Sequence, residues 1–247
     1  MDPINKIYPL TTARTPLHRS VFLYLIPRQG DMMIPALFFY VQAGDKHILV
    51  DTGGSAEDLK ANSQFGAPWE HVRTFEECLA GVGITPDDVD VVIQTHLHFD
   101  HVLCTAKCRN AKVYVQKTEL DQARDPHPLT AKMYRWFENG GEDFDYVVVD
   151  GDHEVMPGIR LLTAPGHTVG CQAVAVNTAK GKAVITGYCC IGENFDPPPA
   201  LNSPFPVIAP GIHLSAVQAY ESVWRVKREA DIILPMHEPS LLSVEYI

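Results

Sequence analysis

The sequence has no uninterrupted apolar run near the roughly 18–20 residues that span a bilayer. The run Val21-Phe22-Leu23-Tyr24-Leu25-Ile26 stops at Pro27-Arg28. Residues 1–20 carry Asp2, Lys6, Arg14 and Arg19 and lack a secretory layout, so no membrane association is expected. Positive charge is also scarce. Lys and Arg number 20 against 30 Asp and Glu, for a net charge of −10. An acidic chain does not attract phosphate backbones, which argues against nucleic acid as a partner. Cysteine is too sparse for a disulfide scaffold, at six in 247 residues. Cys189 and Cys190 are adjacent and badly placed to bridge each other. Cys104 and Cys108 have a spacing a metal could use, but no second pair follows. Reduced thiols and a cytoplasmic protein are the expectation. No internal repeat is strong enough to argue from.

What is present is ordinary for a soluble globular chain, 46% hydrophobic and 20% charged. Short strand-like runs recur, with helices between several of them. Residues 5–26 read as strand material broken by Thr-rich turns, and 28–35 as a loop. Ala36 to Val41 and His47 to Val50 read as a hairpin around Ala43-Gly44-Asp45-Lys46. Residues 56–70 read as irregular and partly helical, with Phe65 and Trp69 exposed. Thr74-Phe75-Glu76-Glu77 matches a capping box, and Gly81 and Gly83 stop that helix. Strands are expected at 89–95, 112–116, 146–149, 159–163, 173–176, 182–186 and 232–234. Helices are expected at 117–124, 129–139 and 213–229.

The chain is organised around Thr95-His96-Leu97-His98-Phe99-Asp100-His101, which packs three histidines and one aspartate into six positions. It follows the apolar run Val89-Asp90-Val91-Val92-Ile93-Gln94, so the cluster falls where a buried strand ends. His96 and His98 alternate by two, and an extended backbone puts both rings on one side. A turn can bring Asp100 and His101 back towards them. Imidazoles and a carboxylate converging on one point suit a borderline cation such as zinc. The alternative is a polar loop that happens to be rich in histidine; with 11 His in the chain, three within six positions is improbable by chance.

The pattern His-x-His-x-Asp-His resembles the signature of the metallo-β-lactamase superfamily. Its flanks, and the later Val113-Tyr114-Val115-Gln116-Lys117-Thr118-Glu119, are similar to the N-acyl-homoserine lactone lactonase branch. The resemblance runs from about Lys6 to His237. It implies an α/β protein, an αββα sandwich of two mixed β-sheets flanked by helices, as a single domain over 1–247. It also implies one or two Zn2+ per chain at one sheet edge. His96, His98 and His167, the last in Ala164-Pro165-Gly166-His167, would bind one zinc. Asp100, His101 and His237 would bind the second. The lactonase branch also carries an Asp-Thr-Gly close to the metals, here Asp51-Thr52-Gly53. The favoured reading of Asp51 is that it fastens its loop by hydrogen bonds.

One departure stands out. The family's bridging aspartate follows the strand after Pro-Gly-His, where this chain reads Ile185-Thr186-Gly187-Tyr188-Cys189-Cys190, with Tyr188 in the aspartate's place. Three outcomes are open. The second metal binds through Asp100, His101, His237 and water; or Cys189 or Cys190 supplies a thiolate across a local bulge; or the site holds one metal. Tyr188 is either a neutral hydrogen-bond donor to a developing oxyanion or filler. The lactonase branch's tyrosine three residues after the aspartate corresponds here to Ile191.

The function these residues imply is a zinc hydrolase opening a small lactone with metal-activated water. Asp100 would hold the nucleophile and pass its proton to the leaving alkoxide, with Tyr188 as the second catalytic candidate. The alternatives are hydrolysis of an amide, thioester, isothiocyanate or aryl ester, or metal and ligand binding without turnover. The expected partner is a small-molecule substrate, with a homodimer left open. Met32, Met33, Phe65, Trp69 and Met133 are candidate pocket residues, each with a core role as the competing reading.

Overall fold

The computed structural model describes residues 4–27, 30–63 and 66–247. Twelve strands form two sheets among these residues. The first sheet takes β1 (Lys6–His18), β2 (Asp31–Ala43), β3 (Lys46–Val50), β4 (Glu70–His71), β5 (Val91–Ile93), β6 (Lys112–Gln116) and β7 (Tyr146–Val149), in the order β4-β1-β2-β3-β5-β6-β7. The second takes β8 (His153–Met156), β9 (Ile159–Thr163), β10 (Gln172–Thr178), β11 (Gly181–Ile185) and β12 (Ile232–Leu234), in the order β12-β11-β10-β9-β8. Both are mixed: β3, β5, β6 and β7 pair in parallel, as do β11 and β12, and the remaining pairs are antiparallel. The helices are α1 (Ala56–Asn62), α2 (Phe75–Gly81), α3 (Phe99–Val102), α4 (Lys117–Arg124), α5 (Gly192–Phe195) and α6 (Ala216–Glu229). No described helix is long and apolar enough to cross a membrane.

The period of two along each strand explains the layering. Leu37, Phe39 and Val41 of β2, with Ile48, Val50, Val91 and Ile93, share one buried cluster with Leu161, Val174, Val176 and Ile185 of the other sheet. Their alternates Phe38, Tyr40, Leu49 and Val92 face outwards, onto Phe75 and Leu79 of α2. In the second sheet Leu162, Ala173 and Val184 face Val223 and Val226 of α6. Strands buried on both faces read as continuous apolar runs, as these do. Each fully buried Leu, Val or Phe contributes about 1.5–3 kcal/mol of transfer free energy. The αββα sandwich expected from the sequence is the observed architecture.

Several local expectations needed correction. Residues 31–35 are not a loop: β2 begins at Asp31 and pairs with β1 as far back as His18. The register shifts between Thr11 and Arg14, opposite Pro35. An irregularity there accommodates a residue with no N–H to donate. The partner strand, invisible to local pattern, decides this segment. Arg28, Gln29 and Phe65 lie outside the described residues. Trp69 is buried rather than exposed. Ala131–Asn139 is a 3-10 helix, which buries Tyr134, Trp136 and Phe137. Strand β8 lies between two turns and was not anticipated.

Candidate metal centre

The histidine-bearing loops all follow the C-terminal ends of strands. β5 leads into Thr95–His101, β9 into His167, and β12 into His237. The nitrogen or carboxylate atoms of His96, His98 and His167 lie within 4.8 Å of one another, and so do those of Asp100, His101 and His237. The two groups adjoin, with the ring centroids of His96 and His101 4.1 Å apart. These are the two sets of three implied by the resemblance, and the structure brings all six residues together.

The far nitrogens of four of the five rings are tied down. His167 Nδ1 donates to the Ile212 carbonyl at 2.8 Å. His237 Nδ1 donates to the Pro35 carbonyl at 3.2 Å, across the irregular stretch of β2. His101 Nδ1 donates to Asp51 Oδ2 at 2.7 Å. Thr95 Oγ1 gives its proton to Asp51 Oδ2 at 2.7 Å, so its oxygen receives His96 Nδ1 at 3.1 Å. A neutral imidazole that donates at one nitrogen presents a lone pair at the other. Four Nε2 lone pairs are therefore left for the cluster. The Nε2 atoms of His96 and His98 are buried with no hydrogen-bond partner. Buried acceptors facing one another without a proton between them fit a shared cation, and metal-ligating histidines are ordinarily anchored through the other nitrogen in this way.

Protonation follows the same logic. Burial, reinforced by neighbouring imidazoles, holds His96 and His98 well below the ordinary histidine value. Burial lowers His167 and His237 to about 4. Burial opposes charge on His101 too, but Asp100 and Asp51 outweigh it and raise the ring's pKa.

Two buried carboxylates support the cluster without facing the cavity. Asp51, at a left-handed φ of 59°, accepts Thr95 N at 2.8 Å as well as Thr95 Oγ1 and His101. It fastens the loop, as expected, and orients a ring as well. Glu119, in the first turn of α4, accepts four donors. Leu97 N (3.0 Å) and Tyr134 Oη (2.9 Å) reach Oε1, and Thr168 Oγ1 (2.6 Å) and Gly170 N (3.1 Å) reach Oε2. Glu119 therefore ties the loop of His96 and His98 to the loop of His167. The sequence reading missed this role. Its signal was an acid on the apolar face of a short helix, beside Leu120 and four positions before Ala123.

The cavity beside the cluster encloses about 50 Å³. Its walls include Leu17, Val21, Phe22, Trp69, Met133 and Ile212, with His98, Asp100, His101, His167 and His237 at the floor. Trp69 and Met133 are pocket residues, whereas Met32 and Met33 are not among its walls.

Tyr188 is not among the residues that line the cavity, which favours the filler reading over the oxyanion donor. Its ring lies in the outer layer with Leu162, Val223 and Phe195, 6.2 Å from the Phe195 ring centroid. Its hydroxyl is buried with no partner. In the loop after β11, Tyr188 lies on the side that meets α6, and the next residue, Cys189, turns into the cavity. Cys190 packs in the outer layer and its Sγ meets Thr186 Oγ1. Cys104 and Cys108 are core thiols behind the first sheet.

A two-sheet sandwich with two adjoining groups of side chains that could hold metal ions at one rim defines a metallohydrolase class of fold. Residues 34–237 match the Metallo-beta-lactamase superfamily, and the chain belongs to that superfamily. An N-acyl homoserine lactonase of Bacillus thuringiensis is 27% identical over 248 aligned residues, covering 95% of this chain and 94% of the relative. A solved quorum-quenching N-acyl homoserine lactone lactonase superposes with a TM-score of 0.78 at 25% identity, covering 100% of both chains. An N-acyl homoserine lactone hydrolase, solved with the product N-hexanoyl-L-homoserine at its catalytic metal center, gives a TM-score of 0.77 at 25% identity, again covering both chains fully.

Proposed function

We propose that this chain is a zinc-dependent hydrolase that opens the ring of an N-acyl homoserine lactone or a close analogue. The observation that carries the reading is the set of unpaired Nε2 lone pairs converging beside Asp100 at the floor of an apolar cavity. The relatives' lactone chemistry supports the substrate class. His96, His98 and His167 would hold one cation, and Asp100, His101 and His237 a second. Bound zinc supplies Lewis acidity and brings the pKa of water towards neutrality.

The chain's own residues do the rest. Asp100 is the only acid on the cavity wall among the described residues, and its side chain is 15% exposed. From there its carboxylate takes a proton from the attacking water and returns it to the departing alkoxide. Water adds to the carbonyl carbon, the acyl–oxygen bond breaks, and the product is a hydroxy acid. Leu17, Val21, Phe22 and Trp69 present apolar surface to an acyl chain, and Met133 is flexible enough to yield to it. The cavity lining has no role for Tyr188. Six buried free thiols fit a reducing compartment, and we assign the protein to the cytoplasm on that ground.

The test uses purified, metal-quantified protein with N-hexanoyl and N-decanoyl homoserine lactones and an aryl ester. Ring opening that releases acid, stops on chelation and returns with zinc is expected. Ester turnover without lactone turnover would move the substrate class. No turnover with metal in place would sink the hydrolase reading.

A further inference from the structure

Among the described residues the two groups of candidate ligands have no carboxylate in common. Asp51 is committed to Thr95 N, Thr95 Oγ1 and His101. Glu119 is committed to Leu97, Tyr134, Thr168 and Gly170. Asp100 belongs to the second group and is the only acid lining the cavity among the described residues. The loop after β11 cannot supply one as it stands. A Cβ at Gly187 would sit 1.9 Å from the Gln172 carbonyl oxygen and 2.8 Å from Thr95 Cβ, so no side chain fits there. Tyr188 faces the outer layer. Cys189 reaches the cavity, but its Sγ is not part of either group of converging ligand atoms.

Resting on the metal reading above, we propose that the two cation positions load one after the other, each on its own three side chains, rather than as a pair sharing a carboxylate. Two divalent cations held by adjoining groups repel each other, and a shared anion is what offsets that repulsion in a bridged site. Here the first group is three neutral imidazoles and the second carries one carboxylate. The first cation therefore binds against little opposing charge. The second meets the field of the first with no side chain common to both groups among the described residues. Each position, having its own three ligands, survives loss of the other.

The experiment follows zinc release from the fully loaded protein against increasing chelator, with metal quantified at each step. The wild type is expected to release two equivalents in two steps, separated by about tenfold or more in chelator concentration. His167→Ala and His237→Ala, which each remove a ligand of one group, are each expected to keep one equivalent. Cys189→Asp, which offers a carboxylate from the loop position that faces the cavity, is expected to move the second step towards the first. Release of both equivalents in a single wild-type step, or loss of both from either histidine variant, would overturn stepwise loading. A Cys189→Asp protein whose two steps stay as far apart as in the wild type would overturn the assignment of residue 189 as the bridging place. The outcomes separate from those of the functional reading. Single-step release with lactone turnover intact sinks only this inference, and stepwise release without turnover sinks only the hydrolase reading. A protein that binds no zinc at all sinks both.

Discussion

Asp51 Oδ2 lies 2.7 Å from His101 Nδ1, both buried, and the same oxygen accepts Thr95 Oγ1 at 2.7 Å. One carboxylate thus fixes the tautomer of a ring and the start of the loop that carries four of the six candidate ligands. A residue without Cβ constraints would reach its left-handed φ of 59° more easily, yet the aspartate stays there because three donors hold it.

Asp51→Asn keeps the size and removes the charge. Its amide must either face His101 or abandon Thr95. Loss of such an outer partner typically costs about 10- to 100-fold in metal affinity. Chelator competition on the variant reads this directly. An affinity equal to wild type would mean that His101 holds its orientation without Asp51.

Glu119→Gln puts an amide NH2 against donors that both oxygens now accept. One or two donors among Leu97 N, Tyr134 Oη, Thr168 Oγ1 and Gly170 N then lose their acceptor. Each buried unsatisfied group costs about 1–3 kcal/mol. Urea unfolding of the metal-free variant measures it. A change below about 0.5 kcal/mol would show that Glu119 is not the tie between the two loops.

Tyr188→Phe deletes a buried hydroxyl that has no partner. The variant is expected to keep wild-type metal content and turnover, with stability unchanged or raised by about 1 kcal/mol. Tyr188→Asp instead places a carboxylate among Leu162, Val223 and Phe195 and should destabilise the fold without adding a metal ligand. A tenfold fall in kcat for the Phe variant would return Tyr188 to the site.

Acid should destabilise the metal-free protein. His96, His98, His167 and His237 have folded pKa values depressed below the unfolded value, the last two to about 4. The unfolded chain takes up more protons at these positions, so their contribution is present above about pH 6.5 and is lost as pH falls towards about 4. His101, whose pKa is raised, acts with the opposite sign, present below about 6.5 and lost as pH rises through its folded value. Four against one sets the direction. Thermal melts of stripped protein at pH 7 and pH 5 check it. A higher midpoint at pH 5 would contradict the burial of neutral rings.

Local pattern in the sequence carried the short strands and the spacing of His96, His98, Asp100 and His101: a period of two, a cluster within six positions, a strand followed by a turn. The sandwich and the departure at the expected aspartate were legible only through the resemblance to the superfamily. The tertiary structure decided which way each side chain after β11 faces, because that depends on which face of the strand meets α6. It turned Tyr188 into the outer layer and Cys189 into the cavity. It also decided that Asp31–Pro35 is strand, since hydrogen-bond pairing with β1 lies outside any local window. Glu119 shows the same limit most sharply. An ionisable side chain looks solvent-bound until four donors, from segments up to 51 residues away along the chain, close around it.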